Sequence, residues 1–235
     1  MRLYYVRHGA PIYDPDGLTE YGKQQAEHIR DVFRRYRPDR IFTSASRRAQ
    51  MTAQPTCEML GIEPQSFDWA HESVIGQSFG TFDDDIQGWT WVWNSRKYKE
   101  MFADPEVVAL WDKWYTHPYF ENTPLPSGFL AFKKEQDAWL ETLGYRRRET
   151  FGFEETGPHP GRIAFFAHGG CGMVFLSTLL GIPFPVYVLR VIEHVTTGIS
   201  VIDLSAENGI VYPRLVAFNM TPHLFSHNLD NDYKF

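Results

Sequence analysis

The sequence predicts an α/β protein, a three-layer α/β/α sandwich with helices on both faces of a mostly parallel central sheet. Strand-like and helix-like segments alternate along the 235 residues, and 43% of the residues are hydrophobic, enough for a sizeable core. The runs at 3–6 and 162–167 are short, apolar and typical of buried strands. We expect one domain over 1–235, with a cap insertion at 83–123 within it.

The elements of the first half follow from apolar periodicity and capping residues. Thr19 can cap a helix that has Glu20 in its first turn. Apolar residues at three- and four-residue steps make this helix amphipathic. In chain order, the predicted elements are a strand at 3–6, the helix after Thr19, a strand at 39–43, a helix at 46–60 with a kink or irregular turn at Pro55 and its end at Gly61, and an irregular stretch at 62–82.

The second half begins with the aromatic-rich segment 83–123, which holds five of the seven tryptophans and is predicted to form short helices over the core. Glu207-Asn208-Gly209 is a hairpin-turn signal. The other predictions are a helix at 128–143, a polar loop at 145–161 with a solvated run of three arginines, a strand at 162–167, a helix at 171–180, and strands at 198–204 and 210–218 around the turn.

Composition excludes several classes of protein. The net charge of −6, from 23 basic and 29 acidic residues, disfavours a nucleic-acid binder. The sequence contains no run of 18 apolar residues, so it predicts no membrane span. Cys57 and Cys171 provide neither a disulfide framework nor a cysteine zinc site. The first residues enter a strand pattern and lack the features of a signal peptide, so a cytoplasmic protein is expected.

Two predicted strands end in a histidine that is followed by glycine, at His8 and at His168. In an open α/β sheet, ligands bind beyond the carboxyl ends of the strands. Both histidines are therefore expected at one edge of the sheet, where the glycines let the backbone approach a ligand closely.

Five motifs occur in order and frame nearly the whole chain. They are Arg7-His8-Gly9, Leu18-Thr19-Glu20-Tyr21-Gly22 with Gln25-Ala26, the segment TSASRRAQMTA at 43–53, Glu72 followed by Gly76, and His168-Gly169-Gly170. Together they resemble the signature of the histidine phosphatase superfamily, the phosphoglycerate mutase-like group, branch 1. The resemblance implies that superfamily's fold and phosphoryl-transfer chemistry.

The resemblance assigns His8 as the nucleophile that forms a phosphohistidine, with its other ring nitrogen donating to a carbonyl. Arg7, Arg48, a protonated His168 and Gly169 would bind the phosphate. Glu72 would be the general acid and base, for which a raised pKa is required. His168 is therefore both a catalytic and a phosphate-binding candidate, and no metal or cofactor is expected.

Several neighbouring residues have other interpretations. His71 is an alternative proton carrier, Arg47 is expected to be solvated, and His223 is expected to pack or to support the site. Asp14 stands where relatives often carry an asparagine, and Cys171 follows the second histidine motif where threonine or isoleucine is common. The effect of these two departures is left open.

The expected activity is that of a phosphomonoesterase of the histidine acid phosphatase type, acting on a small-molecule phosphomonoester. Segment 83–121 holds eight acidic and four basic residues, which favours a monophosphate with an apolar or ring-shaped leaving group over a bisphosphoglycerate. The aromatic residues could instead form the core of the cap, or a dimer surface. A phosphoglycerate-type mutase and a catalytically silent binding protein remain as alternatives, and a homodimer is kept open.

Overall fold

A central six-stranded sheet organises the computed structural model, which describes residues 1–227 and 229. In chain order the strands are β1 (Arg2–Arg7), β2 (Pro11–Tyr13), β3 (Asp16–Leu18), β4 (Arg40–Ser44), β5 (Gln65–Phe67), β6 (Gly80–Asp83), β7 (Gly88–Trp91), β8 (Tyr145–Arg147), β9 (Phe153–Glu155), β10 (Arg162–Ala167), β11 (Ile199–Asp203), β12 (Ala206–Glu207), β13 (Ile210–Val211) and β14 (Arg214–Met220).

The helices lie between and around these strands. They are α1 (Glu20–Arg35), α2 (Arg47–Leu60), α3 (Glu72–Phe79), α4 (Arg96–Ala103), α5 (Pro105–Ala109), α6 (Leu125–Thr142), α7 (Gly169–Leu180), α8 (Phe184–Arg190) and α9 (Pro222–Phe225), with short 3₁₀ helices at Asp68–Ala70, Trp111–Thr116 and Pro118–Phe120.

The central sheet has the order β14-β11-β1-β10-β4-β5, and β1, β10, β4 and β5 run parallel to one another. Strand β11 is antiparallel to β1 and to β14. The predicted fold class, a mostly parallel sheet with helices, is therefore confirmed. The register pairs Arg7 with Ala167, so the chain leaves both strands at the same edge.

Alternating side chains of β1 separate two apolar cores. Leu3 and Tyr5 belong to the larger core, with residues from α6, α7 and segment 83–123. Tyr4 and Val6 belong to the smaller core, which includes Ile29 of α1 and residues of α2. A strand that is buried on both faces reads as a continuous apolar run, which is why β1 and β10 were predictable.

The caps of the first two helices are formed by side chains. The hydroxyl of Thr19 accepts the Gly22 backbone N–H at 2.9 Å, as predicted for the start of α1. Ser46 caps α2, which continues as helix through Pro55 rather than turning irregularly there. Gly61 ends α2 with a left-handed φ of 65°, which glycine adopts without steric cost.

Some sequence predictions were wrong because the elements are short. The stretch 62–82 contains β5, α3 and the start of a hairpin rather than irregular chain. The expected polar loop at 145–161 contains β8 and β9, which bury Tyr145 and Phe153. The turn at Glu207-Asn208-Gly209 joins the two-residue strands β12 and β13, whereas β11 pairs with β14. A strand of two or three residues is too short for its hydrophobic periodicity to be recognised in the sequence.

Segment 83–123 contributes buried aromatic residues to the larger core. Phe102, Trp114 and Phe120 are fully buried, and Trp114 stacks on Phe184 of α8 with a centroid distance of 5.5 Å. The predicted short helices are present as α4, α5 and 3₁₀ turns, but the β6–β7 hairpin that opens the segment was not predicted. No helix within residues 1–227 and 229 has the length and apolar character needed to cross a membrane.

Candidate active site

A cleft of about 690 Å³ opens at the carboxyl edge of β1 and β10. The two arginines from the sequence motifs, Arg7 and Arg48, line it together with Glu72. The other lining residues are Tyr13, His71, Ser73, Gly76, Gln77, Trp89, Trp91 and Glu193. The position agrees with the rule that open α/β sheets bind ligands beyond the carboxyl ends of their strands.

His8 follows β1 and is fully buried. Its Nδ1 lies 2.8 Å from the Gly9 carbonyl oxygen, and because a carbonyl only accepts, Nδ1 carries the proton. Nε2 therefore presents a lone pair, and it has no hydrogen-bond partner within the described residues. Burial, together with the charges of His168 and Arg7, holds the pKa of His8 well below its usual range, which keeps this nitrogen unprotonated.

His168 follows β10, and its fully buried ring lies 5.1 Å from the ring of His8. Nε2 is 2.8 Å from Ser44 Oγ, and the backbone carbonyl accepts the Tyr5 hydroxyl at 2.7 Å. Nδ1 is 3.2 Å from Glu72 Oε2 but is not aligned for a hydrogen bond. Burial lowers the pKa of His168 despite the contact with Glu72. The expected third cation is therefore not favoured in the ligand-free site.

The two arginines enter the cleft from different elements. Arg7 Nη1 donates to the carbonyl oxygen of His194 at 2.5 Å. Arg48, near the start of α2, pairs with Asp16 through Nη1 at 2.7 Å and approaches Glu72 through Nη2 at 3.5 Å. The neighbouring Arg47 is exposed, as expected. The site thus receives one guanidinium from β1 and one from α2.

Four buried side-chain nitrogens in this site have no hydrogen-bond partner within residues 1–227 and 229. Buried polar atoms normally have partners, so a concentration of exceptions indicates a place for a ligand. One of these nitrogens belongs to His8, and the other three belong to neighbouring residues that carry a positive charge or can become protonated. They are Arg7 Nε, His8 Nε2, Arg48 Nε and His168 Nδ1. An anion with several oxygens fits this arrangement.

Glu72 begins α3, and its Oε1 accepts the Gly170 backbone N–H at 2.9 Å. Burial acts to raise the pKa of Glu72, but the contact with His168 and the charges of His168, His8 and Arg7 outweigh it and lower the pKa to about 2. The expected raised pKa is wrong for the free site. The contact with His168, the charge of Arg7 and the Gly170 N–H stabilise the carboxylate instead.

Comparison with known proteins agrees with this geometry. Residues 3–116 match the family model of the histidine phosphatase superfamily (branch 1). The chain is therefore similar to this superfamily over residues 3–116.

The similar proteins cover most of the length of this chain. The Hydrogenobacter thermophilus protein named "Putative phosphoserine phosphatase 2" is 25% identical over 190 residues, which are 77% of this chain and 79% of the relative. A mycobacterial glucosyl-3-phosphoglycerate phosphatase has a TM-score of 0.59 at 19% identity, covering 94% of this chain and 99% of its own. Phosphoserine phosphatase from Entamoeba histolytica, in complex with 3-phosphoglyceric acid, has a TM-score of 0.57 at 20% identity, covering 95% and 98%.

Three residues of the site were missed from the sequence. Ser44 contacts His168, Asp16 pairs with Arg48, and Glu193 lines the cleft beside Arg7. Ser44 lies inside the 43–53 motif, which was the one available signal. Nothing in the local sequence distinguishes Asp16 from Asp14, or Glu193 from any glutamate near the end of a helix.

The remaining candidates take supporting or peripheral positions. Asp14 is exposed, so Asp16 and not Asp14 faces the arginine, and Cys171 is buried within α7. His71 caps α3 by accepting the Ser73 N–H, and it also lines the cleft. His223 is buried with Nε2 3.0 Å from Thr197 Oγ1, which agrees with the expected packing role.

Two groups of side chains in the described part of the chain have ligand atoms close enough to hold a metal ion. His8, Glu72 and His168, of which Glu72 lines the cleft, form one such group, with ligand atoms within 4.8 Å of one another. A cation there would cover His8 Nε2 and face the guanidinium of Arg48. The other group, His28, Asp31 and His227, lies outside the cleft.

Proposed function

We propose that the protein hydrolyses small phosphomonoesters through a phosphohistidine intermediate on His8. The observation that carries this proposal is the set of partnerless nitrogens on Arg7, His8, Arg48 and His168 around one point of the cleft. A phosphoryl group supplies the missing acceptors for the arginines and an electrophile for His8 Nε2. The match of residues 3–116 to the histidine phosphatase superfamily supports phosphatase activity.

In the first step His8 Nε2 attacks phosphorus, a P–N bond forms, and the bond between phosphorus and the ester oxygen breaks. Arg7 and Arg48 stabilise the charge on the phosphoryl oxygens, the main electrostatic requirement of such a transfer. The α7 N-terminus, with Gly169 as its first residue, adds its dipole. Water then attacks the phosphohistidine, and inorganic phosphate and the free His8 ring result.

The departing alkoxide takes a proton from Glu72. In the free site this carboxyl is ionised, since its pKa is lowered to about 2. A bound phosphate places negative charge beside Glu72 and occupies the arginines, and both effects raise the pKa of Glu72. A monoanionic ester also carries the proton into the site, because the second pKa of a phosphomonoester is about 6. In the second step Glu72 accepts a proton from the attacking water.

A mutase is less well supported. The Arg and Lys residues of the described chain that line the cleft are Arg7 and Arg48, and both are engaged with the phosphate in this mechanism. A doubly anionic substrate needs a second cationic cluster in the same cleft. The acidic segment 83–121 provides none there, so we favour hydrolysis over phosphoryl return.

The test is a phosphate-release assay in EDTA with p-nitrophenyl phosphate and a panel of alkyl, sugar and amino-alcohol phosphates. We expect EDTA-resistant turnover, and a drop of at least about a thousandfold in kcat for His8→Ala. Rapid acid-free quench with ³²P-labelled substrate should trap label on the wild-type protein and none on His8→Ala.

The matched control is His159→Ala. His159 is a partly exposed histidine between β9 and β10, at the amino end of β10 and therefore at the edge of the sheet opposite the cleft. The variant should keep wild-type turnover. Full activity of His8→Ala, or wild-type activity that EDTA abolishes and zinc restores, would overturn the mechanism. Isomerisation of phosphoglycerate without phosphate release would indicate the mutase.

A further inference from the structure

Glu193 is a carboxylate in the cleft to which the proposed hydrolysis assigns no role. It follows α8, lines the cleft and is held from one side only: Trp93 Nε1 donates to Oε1 at 2.7 Å. Oε2 has no hydrogen bond within the described residues, and no Lys, Arg or His nitrogen there comes within 4.0 Å of it. One oxygen of this carboxylate therefore lacks a donor.

The position of Glu193 relative to the phosphate site is defined by the first turn of α7. A Cβ at Gly169 would lie 2.8 Å from Glu193 Oε2 and 3.3 Å from Arg7 Cζ. A Cβ at Gly170 would lie 2.7 Å from Glu72 Oε1. The two carboxylates thus flank successive residues of the same turn, and Glu193 lies immediately beside the phosphate-binding arginine.

Indole rings extend from Glu193 along the wall of the cleft. Trp93, which holds the carboxylate, stacks on Trp91 with a centroid distance of 4.8 Å and an interplanar angle of 9°. Trp89 meets Trp91 edge to face at 4.8 Å and is 58% exposed. Trp89 and Trp91 both line the cleft. Indole faces attract organic cations through the ring quadrupole.

The charge of Arg7 acts on Glu193, but within the described residues no Arg, Lys or His nitrogen forms an ion pair with this carboxylate. Arg48 is paired with Asp16 and approaches Glu72. Arg7 is directed to the carbonyl of His194 and, in the proposed mechanism, to the phosphate. Burial raises the pKa of Glu193, whereas the hydrogen bond from Trp93 and the charge of Arg7 act to lower it. Once the phosphate engages Arg7, a ligand that brings its own cation supplies a counter-charge for this carboxylate.

We propose that Glu193, with Trp89 and Trp91, forms a subsite for an ammonium group on the alcohol part of the substrate. The inference rests on the proposed function for the placement of the phosphate. The substrate class is then a phosphomonoester of an amine-bearing alcohol. The phosphate is held by Arg7 and Arg48, and the ammonium group by the free carboxylate oxygen and the indole faces.

The test compares charged esters with neutral esters of the same shape. Phosphocholine is paired with 3,3-dimethylbutyl phosphate, and phosphoethanolamine with propyl phosphate. We expect wild-type kcat/KM to favour the charged member of at least one pair. Glu193→Gln keeps an oxygen for Trp93 but removes the charge, and it should lower kcat/KM for the charged esters by about tenfold or more. The neutral esters should stay near their wild-type values.

Two matched controls separate the subsite from general effects of charge and aromatic loss. Glu100→Gln removes an equal charge from an exposed position on α4 and should change neither pair. Trp89→Ala should weaken phosphocholine more than its neutral partner, whereas Trp111→Ala, an exposed tryptophan outside the cleft, should not. Wild-type enzyme without a preference, or an equal loss on charged and neutral esters in Glu193→Gln, overturns the proposal.

A binding measurement keeps this inference distinct from the proposed function. Calorimetry on His8→Ala, which cannot form the phosphohistidine, should give tighter binding of the charged ester, and adding Glu193→Gln should abolish the difference. If the wild-type protein hydrolyses no ester but binding shows this pattern, hydrolysis fails and the subsite stands. If hydrolysis proceeds but both variants bind the two esters equally, the subsite fails and hydrolysis stands.

Discussion

Gly170 brings the backbone of α7 against the candidate acid. Its N–H donates to Glu72 Oε1 at 2.9 Å, and a Cβ added there would lie 2.7 Å from that oxygen and 2.9 Å from Trp91. These distances are shorter than real Cβ contacts, so the carboxylate must move. Gly170, the last residue of the second histidine motif, is therefore a geometric requirement of the site.

We predict that Gly170→Ala lowers kcat by about tenfold to a hundredfold, because a displacement of about 1 Å at a reacting group has an effect of this size. Phosphate-release kinetics with p-nitrophenyl phosphate measure it. Gly157→Ala is the control, since a Cβ there meets no atom within 4 Å. Equal kinetics for the two variants would show that Glu72 tolerates the shift.

Single residues of the site could be predicted only where a local pattern accompanies them. His8 and His168 stand at the ends of apolar strands and precede glycine, so the sequence alone placed them at one edge. Glu193 reaches the cleft through the packing of α8 and through the indole of Trp93, which is 100 residues away in the chain. Such long-range contacts leave no mark on the neighbouring sequence.

At the scale of elements, the β2–β3 hairpin supports the phosphate site from outside the central sheet. Asp16, the first residue of β3, accepts Arg48 Nη1 at 2.7 Å and the Arg47 backbone N–H at 2.7 Å. Partial burial acts to raise the pKa of Asp16, but Arg48 outweighs it and lowers that pKa. The hairpin thereby fixes both the start of α2 and the direction of its arginine.

We predict that Asp16→Asn raises KM and lowers kcat/KM by about tenfold, because the neutral amide orients the guanidinium less firmly. Steady-state kinetics on one ester should show the larger change in KM. Asp85→Asn removes the partner of the exposed Arg96 and provides the matched control. An unchanged KM in Asp16→Asn would mean that Arg48 needs no support from the hairpin.

Elements were predictable in proportion to their length and amphipathicity. Helix α1 spans 16 residues with a capping threonine, and β10 buries five of its six residues. Helix α3 has eight residues and buries only Ile75 and Phe79, so its pattern resembles irregular chain. The strands β12 and β13 have two residues each and exist because β9 offers an edge to pair with.

At the scale of the whole molecule, the two cores enclose histidines that belong to neither the cleft nor the surface. His194 is fully buried beside Tyr5, and burial with the charge of Arg7 lowers its pKa to about 3. His223 is a buried residue of α9, and burial with the charges of His28 and His227 lowers its pKa to about 4. Both groups are neutral in the folded protein at pH 5.

This arrangement predicts acid-sensitive stability. The unfolded chain binds a proton at each histidine near pH 6.5, whereas folded His223 resists protonation until about pH 4. Between these values the unfolded state binds more protons, so the free energy of unfolding decreases as the pH falls through 6.5. The loss is about 1.4 kcal/mol per pH unit for one such group, or about 2 kcal/mol for His223 at pH 5. Protonation of Glu72 changes the free energy of unfolding only below the pKa that this residue has in the unfolded chain, and that pKa lies below pH 5.

Urea unfolding of the wild type and of His223→Asn at pH 7.5 and pH 5.0 measures this linkage. The variant loses packing at both pH values, so the informative quantity is the difference between the two conditions. We expect that difference to be smaller in His223→Asn by about 2 kcal/mol, because the asparagine does not titrate. An equal acid-induced loss in both proteins would mean that folded His223 binds its proton as readily as the unfolded chain does, and the destabilisation would then have to come from the remaining buried histidines.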